Sequence, residues 1–276
     1  MRENTRRGKP LDQEWLRWLR ENVARGCAHD ELRATLLSNG FDAIAIEAAI
    51  ATAPRTAMPA PAASPAAREI PKARLALPSA VPQGGSKAEL YTADSFLTPD
   101  ACGEIVDLIL AQLRPSTITS PPGTYDTTFR TSRTCDLSDS DSAVARLDQK
   151  IYSAIGFDKS LAEPTQGQHY EVGQVFKTHT DFFKPYELEK YTMGALGQRT
   201  WTFMIYLNEP AGGGETEFPD LGVKVAPKLG RAVIWNNLRA SGEGNDATRH
   251  QSLPVTGGTK TIITKWFRIP KLSVKP

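Results

Sequence analysis

Two runs decide how this chain reads: His179-Thr180-Asp181, and Lys260-Thr-Ile-Ile-Thr-Lys265-Trp-Phe-Arg268. On a β-strand successive side chains alternate between faces, so His179 and Asp181 project together while Thr180 points away. An imidazole and a carboxylate placed like this can meet one metal ion from a rigid edge. His250, far downstream beyond a series of strand-like segments, supplies a second imidazole. Two histidines and one carboxylate form the facial triad that holds non-haem Fe(II) and leaves three coordination positions open. The second run, as a strand, places Lys260, Ile262, Thr264 and Trp266 on one face. A lysine among apolar inward neighbours is costly unless an anion meets it.

Working outward, further motifs fall into order around these runs: Tyr170-Glu-Val-Gly-Gln-Val-Phe-Lys-Thr-His-Thr-Asp181, Gln198-Arg-Thr, Tyr206-Leu-Asn, Gly213-Gly-Glu-Thr-Glu-Phe-Pro219, Pro227-Lys-Leu-Gly-Arg-Ala, and His250 followed by Pro254-Val and Gly258-Thr-Lys260. The set resembles the prolyl 4-hydroxylase branch of the Fe(II)/2-oxoglutarate-dependent oxygenases over roughly residues 88–270. That resemblance implies Fe(II) on His179, Asp181 and His250, with 2-oxoglutarate and O2 as further cofactors and ascorbate as an accessory reductant. It implies that Lys260 pairs with the distal carboxylate of 2-oxoglutarate, that Tyr206 hydrogen-bonds the same carboxylate, and that Thr202 is a lesser candidate for it. Tyr170 faces the cosubstrate or substrate side, or else is an ordinary core aromatic. Arg199 and Lys265 are alternative cations. Halogenating relatives lack the carboxylate that Asp181 supplies, which favours hydroxylation.

The expected reaction is hydroxylation of a prolyl residue in a peptide or protein, with succinate and CO2 as co-products. A free amino acid or small metabolite at the same site is the alternative, and an idle β-core serving as a binding protein is a third reading. The sequence has 276 residues and a net charge of +2, so charge points to neither a nucleic acid nor a membrane as partner. Cys27, Cys102 and Cys135 are widely spaced and odd in number, which fits a reducing, cytoplasmic setting rather than a disulfide framework. The N-terminus is polar, and no apolar run reaches the length of a membrane span.

The domain reading follows composition. Residues 1–53 form a small helical unit of three short helices, with Asp12, Asp30 (or His29) and Asp42 at the starts and Asn39-Gly40 as a C-cap. Gly40-Phe41 resembles small ubiquitin-associated-type modules, which would recruit a protein partner; a helical extension docked on the next domain is the alternative. Residues 54–86, rich in Pro and Ala, read as an extended linker. Residues 87–276 form the dioxygenase domain. There Thr98-Pro99-Asp100 starts one helix, and Ser140 or Asp141 caps a second through Ile155. The strand over 199–207 alternates, with Thr202, Met204 and Tyr206 inward and Trp201, Phe203, Ile205 and Leu207 outward. His169 faces away from Gln168 and Tyr170 and is a poor ligand. Residues 182–198 form a long insertion that leaves from the metal ligands and suits a substrate lid. Many short strands with Gly/Pro turns indicate a mainly β fold with flanking helices, a double-stranded β-helix or jelly roll.

Overall fold

A computed structural model of the chain describes residues 8–11, 15–16, 19–20, 23, 29–38, 40–52, 75–116, 128–184, 187–188 and 196–270. The chain divides into two units, Met1–Arg68 and Glu69–Pro276.

In the first unit two helices are described, α1 (His29–Ser38) and α2 (Ala43–Thr52). Gly40 turns the chain between them at φ 78°, a conformation that costs glycine little. The Asp42 carboxylate then accepts from the amides of Ile44 and Ala45, each at 3.0 Å, and so starts α2 as its sequence suggests. Leu19, Leu32, Leu36, Phe41, Ile46 and Ile50 form the unit's own core. Trp15, Leu16, Leu19, Arg20 and Val23 are helical. Most of the first expected helix, including Asp12, lies outside the described residues, as does Cys27.

The second unit carries, in chain order, β1 (Val81–Pro82), β2 (Leu90–Ala93), α3 (Pro99–Leu110), β3 (Arg114–Pro115), β4 (Arg133–Leu137), α4 (Ser142–Ile155), β5 (Thr165–Tyr170), β6 (Phe176–His179), β7 (Leu196–Tyr206), β8 (Gly212–Gly213), β9 (Thr216–Phe218), β10 (Val223–Val225), β11 (Ala232–Asn236), β12 (His250–Ser252), β13 (Val255–Gly257) and β14 (Lys260–Pro270). Eight strands form one sheet in the order β1-β2-β11-β7-β14-β5-β4-β3, and four form a second in the order β10-β9-β12-β6. Their pairings are antiparallel. The architecture is mainly β with few helices and is consistent with a jelly-roll oxygenase fold.

The alternation expected along β7 sorts the two layers. Trp201, Phe203, Ile205 and Leu207 pack with Ile263 and Phe267 of β14 against α3 and α4, through Ile105, Ile109, Leu147 and Ile151. Met204 and Tyr206 turn the other way, into a second core shared with Tyr170, Phe218, Trp235 and Ile262. The helix starts are those the sequence marks. Thr98 accepts from the Ala101 amide at 3.3 Å ahead of α3, and Asp141 accepts from the Ala143 amide at 2.8 Å ahead of α4. Gly156, at φ 72°, closes α4.

Two expectations are corrected here. The linker does not run to residue 86: Leu75 and Leu77 pack on the core under the helices, and β1 pairs with β2. Proline is tolerated there because β1 is an edge strand, where a missing amide donor costs little. The strand after the insertion begins at Leu196 rather than Arg199. The Gln198 side chain clasps Phe183, accepting from its amide and donating to its carbonyl, each at 2.7 Å. Much of the expected lid, including Tyr186 and Tyr191, lies outside the described residues.

Candidate metal centre and cosubstrate cavity

The two histidines meet because β6 and β12 pair in register. His250 and His179 are direct partners across that ladder, with ring centroids 4.3 Å apart. Asp181 sits just past the end of β6. The Nε2 atoms of His179 and His250 each lie 3.9 Å from Asp181 Oδ1, so three donors converge on one point. They are the group able to hold a metal ion among the described residues.

Both histidine rings are oriented as metal binding requires. His179 Nδ1–H donates to the Lys177 carbonyl at 2.8 Å, and His250 Nδ1–H to the Thr248 carbonyl at 3.0 Å. Both Nε2 lone pairs are thereby left for a metal. Burial, with His250 close by, pushes the His179 imidazolium down to about 3, so the ring is neutral. Burial also opposes ionisation of Asp181, but His250, His179, Arg199 and the Thr202 hydroxyl outweigh it and keep the carboxyl below its ordinary range. Phe176 stacks on His179 at 3.6 Å, and the Trp235 ring edge meets His250 at 4.8 Å.

A cleft of about 390 Å³ runs from these donors between the sheets to Lys260. Lys260, Ile262, Thr264 and Trp266 all line it, as the period-two reading of β14 expects. Lys260 is fully buried, and its Nζ donates to the Gly214 carbonyl at 2.9 Å and to Ser252 Oγ. It lies 4.2 Å above the Tyr170 ring, its register partner on β5. No carboxylate pairs with it among the described residues, and desolvation pulls the ammonium down to about 7. Gly214, at φ 77°, leaves room for this: a Cβ there would stand 3.1 Å from Lys260 Cδ. Trp266 Nε1 is a buried donor with no partner among the described residues.

Tyr170 lines the cavity wall, its hydroxyl donating to Gln168 Oε1 at 2.8 Å. The other two residues expected to meet the cosubstrate, Tyr206 and Thr202, have protein partners. The Tyr206 hydroxyl meets Thr216 Oγ1 at 2.6 Å and the Val225 carbonyl at 3.0 Å, and Thr216 faces the cavity in its place. The Thr202 hydroxyl donates instead to Asp181 Oδ2 at 2.7 Å, so it serves the metal ligand. Both point inward as their strand period requires, but depth along β7 decides what they meet. Neither alternative cation reaches the Lys260 end. Lys265 lies on the opposite face with Asp148, and Arg199 is held by Glu163 at 2.7 and 2.6 Å. His169 is buried on the other face against Thr261, away from the donors. Missed from sequence were Gln168, Ser252 and Thr216 on the cavity wall, since hydroxyl and amide side chains carry no period of their own.

The cleft continues into an open groove of about 1470 Å³ that passes the metal donors and is walled by Phe129, Arg130, Gln166, Lys184, Arg199 and Trp266. Arg130 lies over the Phe176 ring at 4.6 Å, and Arg199 over the Trp266 ring at 4.1 Å.

Two imidazoles with their Nε2 atoms turned to one point, an ionised carboxylate with one oxygen facing them, and a buried cation lacking its anion across a short apolar cavity fit ferrous iron with a dicarboxylate cosubstrate. This is the site of a non-haem Fe(II) oxygenase. The sequence profile of the 2OG-Fe(II) oxygenase superfamily matches residues 165–268. Mouse prolyl 4-hydroxylase subunit alpha-1 is 40% identical over 172 residues, covering 61% of this chain and 32% of that protein. Prolyl 4-hydroxylase 13 of Arabidopsis thaliana is 30% identical over 197 residues, covering 65% of this chain and 70% of that one. The solved structure of the viral collagen prolyl hydroxylase of Paramecium Bursaria Chlorella virus-1, as its 2OG complex, superposes with a TM-score of 0.52 at 23% identity, over 65% of this chain and 95% of that one. The chain belongs to the 2OG-Fe(II) oxygenase superfamily and is prolyl 4-hydroxylase-like, with Fe(II), 2-oxoglutarate and O2 as the cofactors of its family. It spans about a third of the alpha-1 relatives (32% of the mouse protein).

Proposed function

We propose that the protein hydroxylates a prolyl residue held in a peptide or protein, consuming 2-oxoglutarate and O2 and releasing succinate and CO2. The observation that carries this reading is the cavity with three metal donors at one end and an unmatched buried ammonium at the other. One oxygen atom of O2 ends in the new hydroxyl group and the other in succinate, so the reaction balances without a further reductant. Iron, when bound, would supply the activation of O2 that cleaving an unactivated C–H bond needs. His179, His250 and Asp181 would hold it. Lys260 takes the distal carboxylate of 2-oxoglutarate, and Ser252, already bonded to Lys260, fixes the ammonium's direction. Phe176, Met204, Trp235 and Ile262 keep water from the reacting atoms. The unpartnered indole N–H of Trp266 is a donor for a ligand carbonyl or carboxylate.

The open groove supports a peptide over a free amino acid, because a lone proline would leave its walls unfilled. Succinate release measured with and without a proline-containing peptide tests the reading. Peptide-dependent release with a product heavier by one oxygen is expected. Release driven equally by free proline would replace the peptide with a small molecule, and none with either would overturn the proposal.

The finer architecture belongs to the same proposal: a double-stranded β-helix, supported by the two antiparallel sheets, preceded by a three-helix module. That module recruits a protein partner, and the exposed Leu37 (45%) and Ile44 (72%) support this. Binding measured with residues 1–55 alone tests it. Ascorbate as accessory reductant and a cytoplasmic location complete the reading, the latter supported by the buried thiols of Cys102 and Cys135.

A further inference from the structure

Behind the metal donors runs a chain of three buried hydrogen bonds. Trp235 Nε1–H donates to Asn237 Oδ1 at 2.9 Å, Asn237 Nδ2–H donates to Thr202 Oγ1 at 2.8 Å, and Thr202 Oγ1–H donates to Asp181 Oδ2 at 2.7 Å. Asn237 and Thr202 are fully buried, and Trp235 is nearly so. The chain has one possible direction. An indole nitrogen can only donate, so the amide of Asn237 must turn its oxygen to Trp235 and its NH2 to Thr202. Thr202 Oγ1 thus accepts a hydrogen bond from Asn237, and its single hydroxyl hydrogen is left for Asp181.

The backbone holds the chain in place. Trp235 and Thr202 are register partners across β11 and β7. The Asn237 amide donates to the Thr200 carbonyl at 2.6 Å, and its own carbonyl accepts from Asn245 at 2.8 Å. The first member is also a wall of the site, since the Trp235 ring edge meets His250. The chain therefore starts against one metal ligand and ends on another.

We propose that Asn237 and Thr202 are positioning residues, forming with Trp235 a one-way hydrogen-bond relay that occupies Asp181 Oδ2 and leaves Oδ1 alone to face the histidines. The inference rests on the metal-centre reading. A carboxylate free to rotate could bind a metal through both oxygens and take a position that the cosubstrate or O2 needs. With Oδ2 tied, Asp181 is a one-oxygen ligand.

The test uses the full-length protein and cobalt(II) alone, read by its dissociation constant and visible absorption. Thr202→Val keeps the shape and removes the hydroxyl. Asn237→Asp keeps the shape but replaces the donor to Thr202 with an acceptor that competes for its hydrogen. Each should weaken cobalt binding by about 10–100-fold, the range for losing a group that orients a metal ligand, and alter the absorption bands. Thr202→Ser, which keeps the hydroxyl, should bind as wild type does. The double variant Thr202→Val/Asn237→Asp should lose little beyond either single one, because both cut the same chain. Melting of the metal-free variants separates folding from positioning. Cobalt affinity matching wild type in Thr202→Val and Asn237→Asp, additive losses in the double variant, or failure of Thr202→Ser to restore binding would overturn the relay. A wild-type chain that takes up no cobalt would overturn the metal-centre reading itself and the relay with it.

Discussion

Two buried lysines on one strand make the most instructive contrast in the molecule. Lys260 and Lys265 both belong to β14 and are almost wholly buried, at 0% and 2% exposure, but an odd spacing sends them to opposite faces of the sheet. On the helix side, Lys265 meets Asp148 of α4 at 2.6 Å, and the same carboxylate accepts from Thr165 at 2.6 Å. On the cavity side, Lys260 has a carbonyl, a hydroxyl and a ring, but no carboxylate among the described residues. The fold supplies the first lysine with its counter-ion and gives the second none among the described residues. Burial of a charge is thus matched within the fold on one face and unmatched on the other, where the proposed function places a ligand carboxylate. The difference lies in what stands opposite.

The sharpest way to break this contrast is to remove the metal donors that give the cavity face its purpose. His179→Ala, Asp181→Ala and His250→Ala should each abolish peptide-dependent succinate release, since each takes one ligand from a three-ligand site. Near wild-type release in any one of them would remove that residue from the ligand set. The helix face should answer differently. Asp148→Ala leaves Lys265 buried and unpaired and should cost about 3–5 kcal/mol of folding stability by denaturant titration. An unchanged midpoint would mean that the pair carries no structural weight.

Lys260→Ala should spare folding but weaken 2-oxoglutarate binding by about 2–5 kcal/mol, the range for truncating one partner of a buried charge pair. Anaerobic titration of the iron complex's visible absorption measures it, and unchanged affinity would show that another group holds the cosubstrate.

A pH series sharpens the contrast further. Lys260 sits at about 7 in the ligand-free protein, so above that pH a proton must be taken up on binding and affinity should fall by up to about tenfold per pH unit. Lys260→Arg, whose guanidinium stays charged, should flatten that dependence while restoring affinity only in part. Ligand-free stability has the opposite sign. The unfolded chain keeps this proton up to the ordinary lysine range, while the folded chain releases it near about 7, so stability should rise with pH across that window. The smallest effect is expected from the first unit. A chain beginning at Glu69 should fold and turn over a short peptide as the full chain does, and loss of folding would show that residues 1–68 support the second unit.

What could be read from sequence was whatever depends on period. The inward row Lys260, Ile262, Thr264 and Trp266, the two-sided sorting of β7, the pairing of His179 with Asp181 and both helix caps follow from local rules, and the structure carries them. What could not be read depends on depth and destination. Thr202 and Tyr206 share a face with Met204, yet one hydroxyl reaches Asp181 and the other Thr216 and Val225. Strand period fixes the side of the sheet but not the partner three or four residues deep. The linker failed for a related reason: proline content announces a missing donor, and an edge strand such as β1 does not require one.

The register of β6 against β12 reaches into the history of each molecule. His179 and His250 become neighbours only when these two strands pair, and a slip of one residue would turn an imidazole to the far side of its sheet. The chain between them contains β7 and β11, the middle of the large sheet, so the contact closes a long loop and belongs to the non-local pairings that slow folding. A nascent or misregistered chain can present His179 and Asp181 but not the third donor. Assembly of the three donors therefore waits on a long-range pairing, and topology acts as a safeguard on the unfinished chain.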